Sequence, residues 1–204
     1  MLLAAEGSMF GSSIASYRKS EKRRYVSSIF HGMYRRQVYD RAGLYNPLLV
    51  RTEDNDMSWR IRQCGNDICY DQSIVSYQHT RPSLRSMIRQ KYLNGYWIGK
   101  TMGVNPHCFS LFHFVPGAFV LSLLLGMILA PFTWLPLAAI GCAYGAALLL
   151  FTVGDMVSGG FMPVKLLLPL VFMAMHVSYG IGTLWGLIQM PFWLKHVKKE
   201  INHG

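Results

Sequence analysis

The chain changes from polar to apolar near residue 105. After Lys100 no Asp, Glu, Lys or Arg occurs until Asp155, and after Lys165 none occurs until Lys195. A helix needs about 20 apolar residues to cross a bilayer. Three runs in this part of the chain are long enough, namely residues 111–130, 134–153 and 166–190. They lack the amphipathic stripe of helices on soluble proteins, so the pattern predicts membrane spans rather than the buried core of a soluble helical domain.

Charge at the two ends of the chain gives conflicting orientations for these spans. Lys and Arg favour the cytoplasmic side of a membrane, which places both the basic residues 1–104 and the basic tail 195–204 there. Three complete spans within residues 105–194 put the two ends on opposite sides. Either one apolar run is re-entrant or interfacial, or the tail is an exception. We expect a multi-pass protein of the plasma membrane with its polar N-terminal part in the cytoplasm.

Local signals in the polar part predict two short helices. Residues 36–42 form the first, and Gly43 ends it in the left-handed conformation that glycine favours. Thr52 caps the second, whose first turn contains three acidic residues. Apolar residues recur along it at i, i+4 and i+7, and Gly65 ends it. The residues of this expected buried face are Met57, Ile61 and Cys64.

Extended patterns and a basic helix follow. Residues 68–70 and 74–77 predict two short strands, whereas the Ser-rich, basic residues 12–28 predict an exposed loop. Ser83 caps a helix over residues 83–98. An amphipathic basic helix just before a span favours the membrane surface, where arginines can bind lipid headgroups or a lipid-linked phosphate. The arginines on or near one side of this helix, four residues apart, are Arg81, Arg85 and Arg89.

The charge balance narrows the possible partners. Twenty Lys and Arg stand against ten Asp and Glu, a net charge of +10. Such an excess is typical of proteins that bind nucleic acid, an anionic membrane surface or a phosphate-bearing substrate. The adjacent spans and the lack of a basic–aromatic nucleic-acid motif argue against nucleic acid and in favour of the lipid bilayer. The four cysteines lack paired metal-ligand spacing, so we expect reduced thiols.

Three of the ten acids lie within four positions, in the segment TEDND of residues 52–56. Acids at a helix N-terminus compensate the helix dipole and contribute about 0.3–1 kcal/mol each. A carboxylate that faces a cleft at the same place can instead act as a general base. A metal site is the weakest interpretation, because Asp54 and Asp56 do not share a helix face. The local pattern alone leaves dipole compensation and base catalysis open.

Two segments, FHGMYRRQVYDRAGLYNPLLVRTEDNDMSWRIRQCGNDICYDQSIVSYQHTRPSLRSMIRQKYLNGYW and the apolar HVSYGIGTLWGLI, carry a family resemblance. They resemble the C-terminal half of membrane-attached family 2 glycosyltransferases, similar to the bacterial succinoglycan and exopolysaccharide enzymes. The resemblance implies an α/β fold over residues 1–104, a partial GT-A domain with the acceptor side, followed by an all-α membrane region of about three helices. It also implies inverting transfer from a nucleotide-sugar to a lipid-linked or polysaccharide acceptor.

The same resemblance implies roles for individual residues. In the family's Thr-Glu-Asp motif the Asp is the general base, which corresponds to Asp54, while Glu53 orients the acceptor. His79 resembles a position where some related enzymes place a metal ligand. Gln90 and Trp97 resemble parts of the family's Gln-x-x-Arg-Trp motif, although the Arg is missing and the spacing is longer. The remaining candidates for substrate binding are Gly32, Arg81, Arg85 and Arg89.

One departure from the family concerns the donor side. The family's catalytic domain begins with a nucleotide-binding half that carries an Asp-x-Asp metal motif, so Mg²⁺ or Mn²⁺ is expected in the complete enzyme. Here the only such pattern is Asp54-Asn-Asp56, on the acceptor-side motif. We expect little activity from this chain alone and a separate nucleotide-binding half as its partner. The alternative is a non-catalytic membrane protein, either a remnant or a subunit that completes another chain.

Overall fold

The computed structural model of the chain describes residues 2–8, 10–11, 22–30, 32–75, 81–160 and 162–203, with side chains up to Val197. Two strands and seven α-helices lie in this part of the chain. In order they are α1 (Leu2–Gly7), β1 (Arg24–Val26), α2 (Arg36–Ala42), α3 (Glu53–Gln63), β2 (Ile68–Tyr70), α4 (Leu84–Thr101), α5 (Val115–Leu129), α6 (Leu135–Gly159) and α7 (Leu168–His203).

The predicted α/β fold is wrong. The described part of the chain is 70% helical, and its sheet consists of two three-residue strands. Strand β1 pairs antiparallel with β2 in the register Arg24–Tyr70, Tyr25–Cys69 and Val26–Ile68. A GT-A half-domain would need a larger sheet covered by helices, and strands of this length cannot build one. Ile74 and Val75, the described part of the other predicted strand, are exposed and outside any strand.

The small polar unit, which consists of β1, α2, α3 and β2, contains the two helices that its local signals predict. Helices α2 and α3 have the expected bounds, and Gly43 and Gly65 follow them with φ of 76° and 77°. A Cβ atom is unfavourable in that conformation, which makes glycine the natural residue at both ends. The helices pack on β2 around one apolar cluster. Its buried residues are Ala42, Met57, Ile61 and Ile68.

Helix α4 packs along α7 through closely approaching backbones. Gly95 lies on the carbonyl of Tyr179, and Gly186 lies on the carbonyl of Tyr96. Because these pairs advance together along both helices, the two helices run parallel to each other. Ser83 caps α4 as predicted, since its Oγ accepts a hydrogen bond from the Ser86 N–H at 3.2 Å. The glycines therefore let a largely polar helix lie directly against an apolar one.

The prediction of three long apolar helices is confirmed. Leu111–Leu129, Leu135–Gly159 and Pro163–Val197 are long and apolar enough to cross a membrane. Only 11–33% of the residues in their most apolar windows are buried. Apolar side chains that remain exposed over such lengths are typical of helices surrounded by lipid. The three helices are therefore compatible with a multi-pass membrane protein.

Helix α1 has no counterpart among the sequence-based expectations. Its Ala5 is fully buried against α7, and Phe10, just beyond it, stacks on Phe151 with ring centroids 4.6 Å apart. The Phe10 carbonyl also lies 2.8 Å from Nε2 of His176. The start of the chain is thus part of the helical bundle. The buried residues of this core are Ala5, Met87, Leu148, Leu168, Val171, Phe172 and Met175.

The end of α4 and the end of α7 meet. Gly103 packs against Leu194, and the rings of Trp97 and Trp193 are 5.9 Å apart, edge to face. Nζ of Lys100 lies 5.2 Å and 5.1 Å from these two ring centroids, within cation–π range. The C-terminal part of α7 therefore lies beside the segment that leads from α4 to α5.

Candidate functional site

The first turn of α3 contains Glu53, Asp54 and Asp56, as the sequence predicts. Thr52 lies at the predicted N-cap position, but its side chain makes no capping hydrogen bond to the helix. Its Oγ1 is instead 2.6 Å from Oγ1 of Thr101, and both residues are buried. The hydroxyl that would cap an isolated helix is thus used to fix α3 to the end of α4.

Asp56 does more than compensate the dipole of α3. Its carboxylate accepts hydrogen bonds from Nε of Arg60 at 2.9 Å and from Nδ2 of Asn105 at 2.8 Å. Arg60 in turn donates to the carbonyls of Ala42 and Leu44. Asp56 is 3% exposed. A buried carboxylate with two such partners is structural, so Asp56 joins α3 to the segment after α4.

Glu53 and Asp54 are half-buried on another side of the turn. Oε2 of Glu53 is buried, and no described residue gives it a hydrogen bond. Burial, the neighbouring Tyr34 and Tyr39, and the carboxylates of Asp54 and Glu53 together raise the pKa of Tyr45 to about 12. The two acids therefore share one electrostatic environment with a cluster of tyrosines.

Two arginines from outside α4 donate hydrogen bonds to one face of this helix. Nη1 of Arg51 donates to Oδ1 of Asn94 at 2.7 Å, and Nε of Arg81 donates to Oε1 of Gln90 at 3.3 Å. Gln90 and Asn94 are one helical turn apart, so they face the same side. Burial lowers the pKa of Arg51, the charge of Arg81 lowers it further, and Glu53 opposes both effects. Arg81 and Gln90, both predicted to bind substrate, are thus brought together.

The other predicted site residues are scattered. Arg85 and Arg89 are exposed along α4, as an amphipathic basic helix requires. Trp97 packs on Trp193 at the end of the bundle. Gly32 lies under the ring of Tyr34, where a Cβ atom would come within 2.6 Å of the hydroxyl oxygen. His79 lies outside the described residues.

Sequence reasoning missed Arg51, Asn94 and Tyr45. Arg51 precedes the acidic motif directly, but its charge has no local pattern that marks it as part of a site. Asn94 is an ordinary polar residue of a helix until the fold brings Arg51 to it. Proximity to the acidic turn in sequence was the one available signal, and it applies to Arg51 alone.

A metal site is not evident from side-chain positions. Within the described ranges, no three His, Cys, Asp or Glu side chains are close enough together to bind one ion. Comparison of the chain with family models, with characterised proteins and with solved structures gives no match. A proposal for the function therefore rests on the chemistry of the acidic turn and of the two arginines.

Proposed function

We propose that this chain forms the acceptor-side, membrane-attached part of an inverting glycosyltransferase, with Asp54 as the general base. The observation that carries the proposal is the attachment of the acidic turn to the membrane-side helices. Thr52 is bonded to Thr101 at the end of α4, and α4 packs along the apolar α7. A carboxylate fixed in this way lies where a lipid-linked acceptor can present a sugar hydroxyl.

The proposed chemistry is a single displacement. The Asp54 carboxylate removes the proton from an acceptor hydroxyl while that oxygen attacks the anomeric carbon of the sugar donor. The bond from this carbon to the nucleoside diphosphate breaks at the same time, and the configuration inverts. Glu53, beside the base, accepts a hydrogen bond from another acceptor hydroxyl and orients the sugar. Its buried Oε2, to which no described residue donates a hydrogen bond, supports this role.

The donor side is proposed to come from outside this acceptor half. A separate nucleotide-binding part would hold the nucleotide-sugar, with Mg²⁺ or Mn²⁺ neutralising the diphosphate as it leaves. The contribution of the described residues is to bind the acceptor, to orient it and to take its proton. Since the bilayer-compatible helices adjoin the acidic turn, glycan synthesis at the plasma membrane is the proposed setting.

The proposal predicts that Asp54→Asn abolishes sugar transfer. The amide cannot accept the hydroxyl proton, and loss of a general base lowers rates by about 10²–10⁴-fold. The measurement is transfer from radiolabelled nucleotide-sugars to lipid-extractable glycans, in membranes of the native host with the substitution in its own gene. Asp67→Asn is the charge-matched control, because Asp67 is exposed and outside the acidic turn.

Two results would contradict the proposal at different levels. Normal transfer in the Asp54→Asn strain, at equal protein level in the membrane, would show that Asp54 is not the base. Unchanged transfer of every sugar after deletion of the gene would contradict the enzymatic role itself. That second result would favour a non-catalytic membrane protein.

A further inference from the structure

Two guanidinium groups from distant segments are fixed side by side by neutral partners. Arg51 precedes α3 and Arg81 precedes α4, yet both donate to amide oxygens one turn apart on α4. Asn94 and Gln90 can orient a guanidinium but cannot neutralise it. The arrangement therefore brings two positive charges together, and the charge of Glu53 offsets them only in part.

Carboxylates do not balance this pair. Within the described residues, the ion pairs are Asp56–Arg60 and Asp155–Lys165, and neither Arg51 nor Arg81 has a carboxylate oxygen within 4.0 Å. Each guanidinium has five N–H donors in a planar fork, and each uses one in its bond to the amide. Several donors on both arginines thus remain for a ligand.

Electrostatics supports the same conclusion. Burial and the charge of Arg81 lower the pKa of Arg51, which means that its charged form is disfavoured where it lies. An anion placed between the two arginines would offset this penalty by its attraction for both charges. Arg85 and Arg89, exposed further along α4, add positive potential that attracts an anion towards the pair.

We propose that Arg51 and Arg81, oriented by Asn94 and Gln90, form a binding site for a phosphate or diphosphate group. The planar fork of arginine matches two phosphate oxygens at once, which explains the use of arginine at both positions. The phosphate belongs either to a lipid-linked acceptor or to a nucleoside diphosphate. Only this choice of source rests on the proposed function.

The test measures binding of two probes to the full chain in nanodiscs of zwitterionic lipid. One probe is undecaprenyl phosphate incorporated in the nanodisc and detected by native mass spectrometry. The other is uridine diphosphate in solution, measured by calorimetry. The variants are Arg51→Gln and Arg81→Gln, and the matched control is Arg62→Gln at the exposed end of α3.

Each site variant is expected to weaken binding of the recognised probe about tenfold, since one charge-assisted phosphate contact is lost. The double variant is expected to abolish it, and Arg62→Gln to leave it unchanged. Arg81 is exposed, so its variant should fold normally. A preference for one of the two probes identifies the source of the phosphate.

Equal weakening by Arg62→Gln would overturn the proposal, because it would show unspecific attraction to a basic surface. Binding of neither probe to the unmodified protein would overturn it as well. The proposed function fails or stands separately, since Asp54→Asn removes transfer without removing phosphate binding. Normal transfer in Asp54→Asn together with arginine-dependent binding would leave the phosphate site intact and reject the base.

Discussion

The three acids at the start of α3 have different surroundings, although they lie within four positions. Asp56 is buried and bonded to Arg60 and Asn105, whereas Glu53 and Asp54 are half-buried beside the tyrosines. For Asp54 the difference from Asp56 follows from helix geometry, because residues two apart point to nearly opposite sides. One short acidic segment can thus supply both a structural carboxylate and the base that we propose.

Replacement of Asp56 by Ala should destabilise the polar unit. The change removes both hydrogen bonds and leaves Arg60 without its carboxylate, and breaking such a pair costs about 3 kcal/mol at the lower end of the known range. The lower end applies because the Arg60 side chain is 24% exposed. Urea titration of the detergent-solubilised protein, followed by intrinsic fluorescence, measures the loss.

Asp67→Ala provides the reference for this measurement. Asp67 is exposed, so its replacement should change the free energy of unfolding by less than about 0.5 kcal/mol. If the two variants unfold at the same urea concentration, the buried network has no stabilising role.

At the residue scale, the sequence predicts the element in which a residue lies better than it predicts the hydrogen-bond partners of that residue. It correctly places three acids in one helical turn. It cannot show that Asp56 binds Asn105, 49 positions away, or that Arg51 binds Asn94. Those contacts depend on how α4 packs against the polar unit, which no local pattern specifies.

At the scale of elements, the contact between α4 and α7 is the least expected feature. As a basic amphipathic helix, α4 is predicted to lie on the membrane surface, and this location stays a prediction. The structure adds a direct helix-to-helix contact built on glycines of both helices. These glycines are Gly95 and Gly99 in α4 and Gly182 and Gly186 in α7.

Gly186→Ala should separate these helices and lower the thermal stability of the protein. The added methyl group would meet the backbone carbonyl of Tyr96, which cannot move aside as a side chain would. Overpacking of this kind costs about 1–3 kcal/mol. The midpoint of thermal unfolding in detergent is the appropriate measurement.

Gly145→Ala is the matched control within α6. A methyl group there meets no atom within 4 Å, and alanine stabilises a helix by about 0.5–1 kcal/mol relative to glycine. The control should therefore unfold at the same or a higher temperature. A midpoint for Gly186→Ala equal to that of Gly145→Ala would contradict the close contact.

Elements with strong local signals are correctly predicted, and elements without them are missed. Helices α2, α3 and α4 have caps, end glycines or apolar periodicity, and the apolar helices have length. Strand β1 lies in a stretch predicted as loop, since its three residues are extended only because β2 pairs with them. Helix α1 likewise depends on α7 for burial.

At the scale of the whole molecule, the structure offers a solution to the conflict between three complete spans and two basic chain ends that both favour the cytoplasmic side. The end of α7 lies beside the segment after α4, which also contacts the polar unit through Asn105. The beginning of the basic tail therefore lies close to the end of the basic N-terminal part. This proximity favours an arrangement in which one apolar helix does not make a complete crossing.

Cysteines introduced at Asp67 and Lys195 should react from the same side of the membrane. Both positions are exposed, one in the polar unit and one near the end of α7. A membrane-impermeant maleimide applied to sealed inside-out and right-side-out vesicles measures their accessibility, in a background where the natural cysteines are replaced. Labelling of the two cysteines from opposite sides would show three complete crossings.

The chain of contacts from the acidic turn to the apolar helices has one more consequence. Thr52 is fixed to Thr101 on α4, and α4 is fixed to α7 by close backbone contact. Glu53 and Asp54 are therefore held at a set distance from the apolar helix α7. Under the proposed function, a membrane-anchored acceptor would reach these carboxylates only with a polar headgroup of matching length, so headgroup length itself would become a criterion of selection.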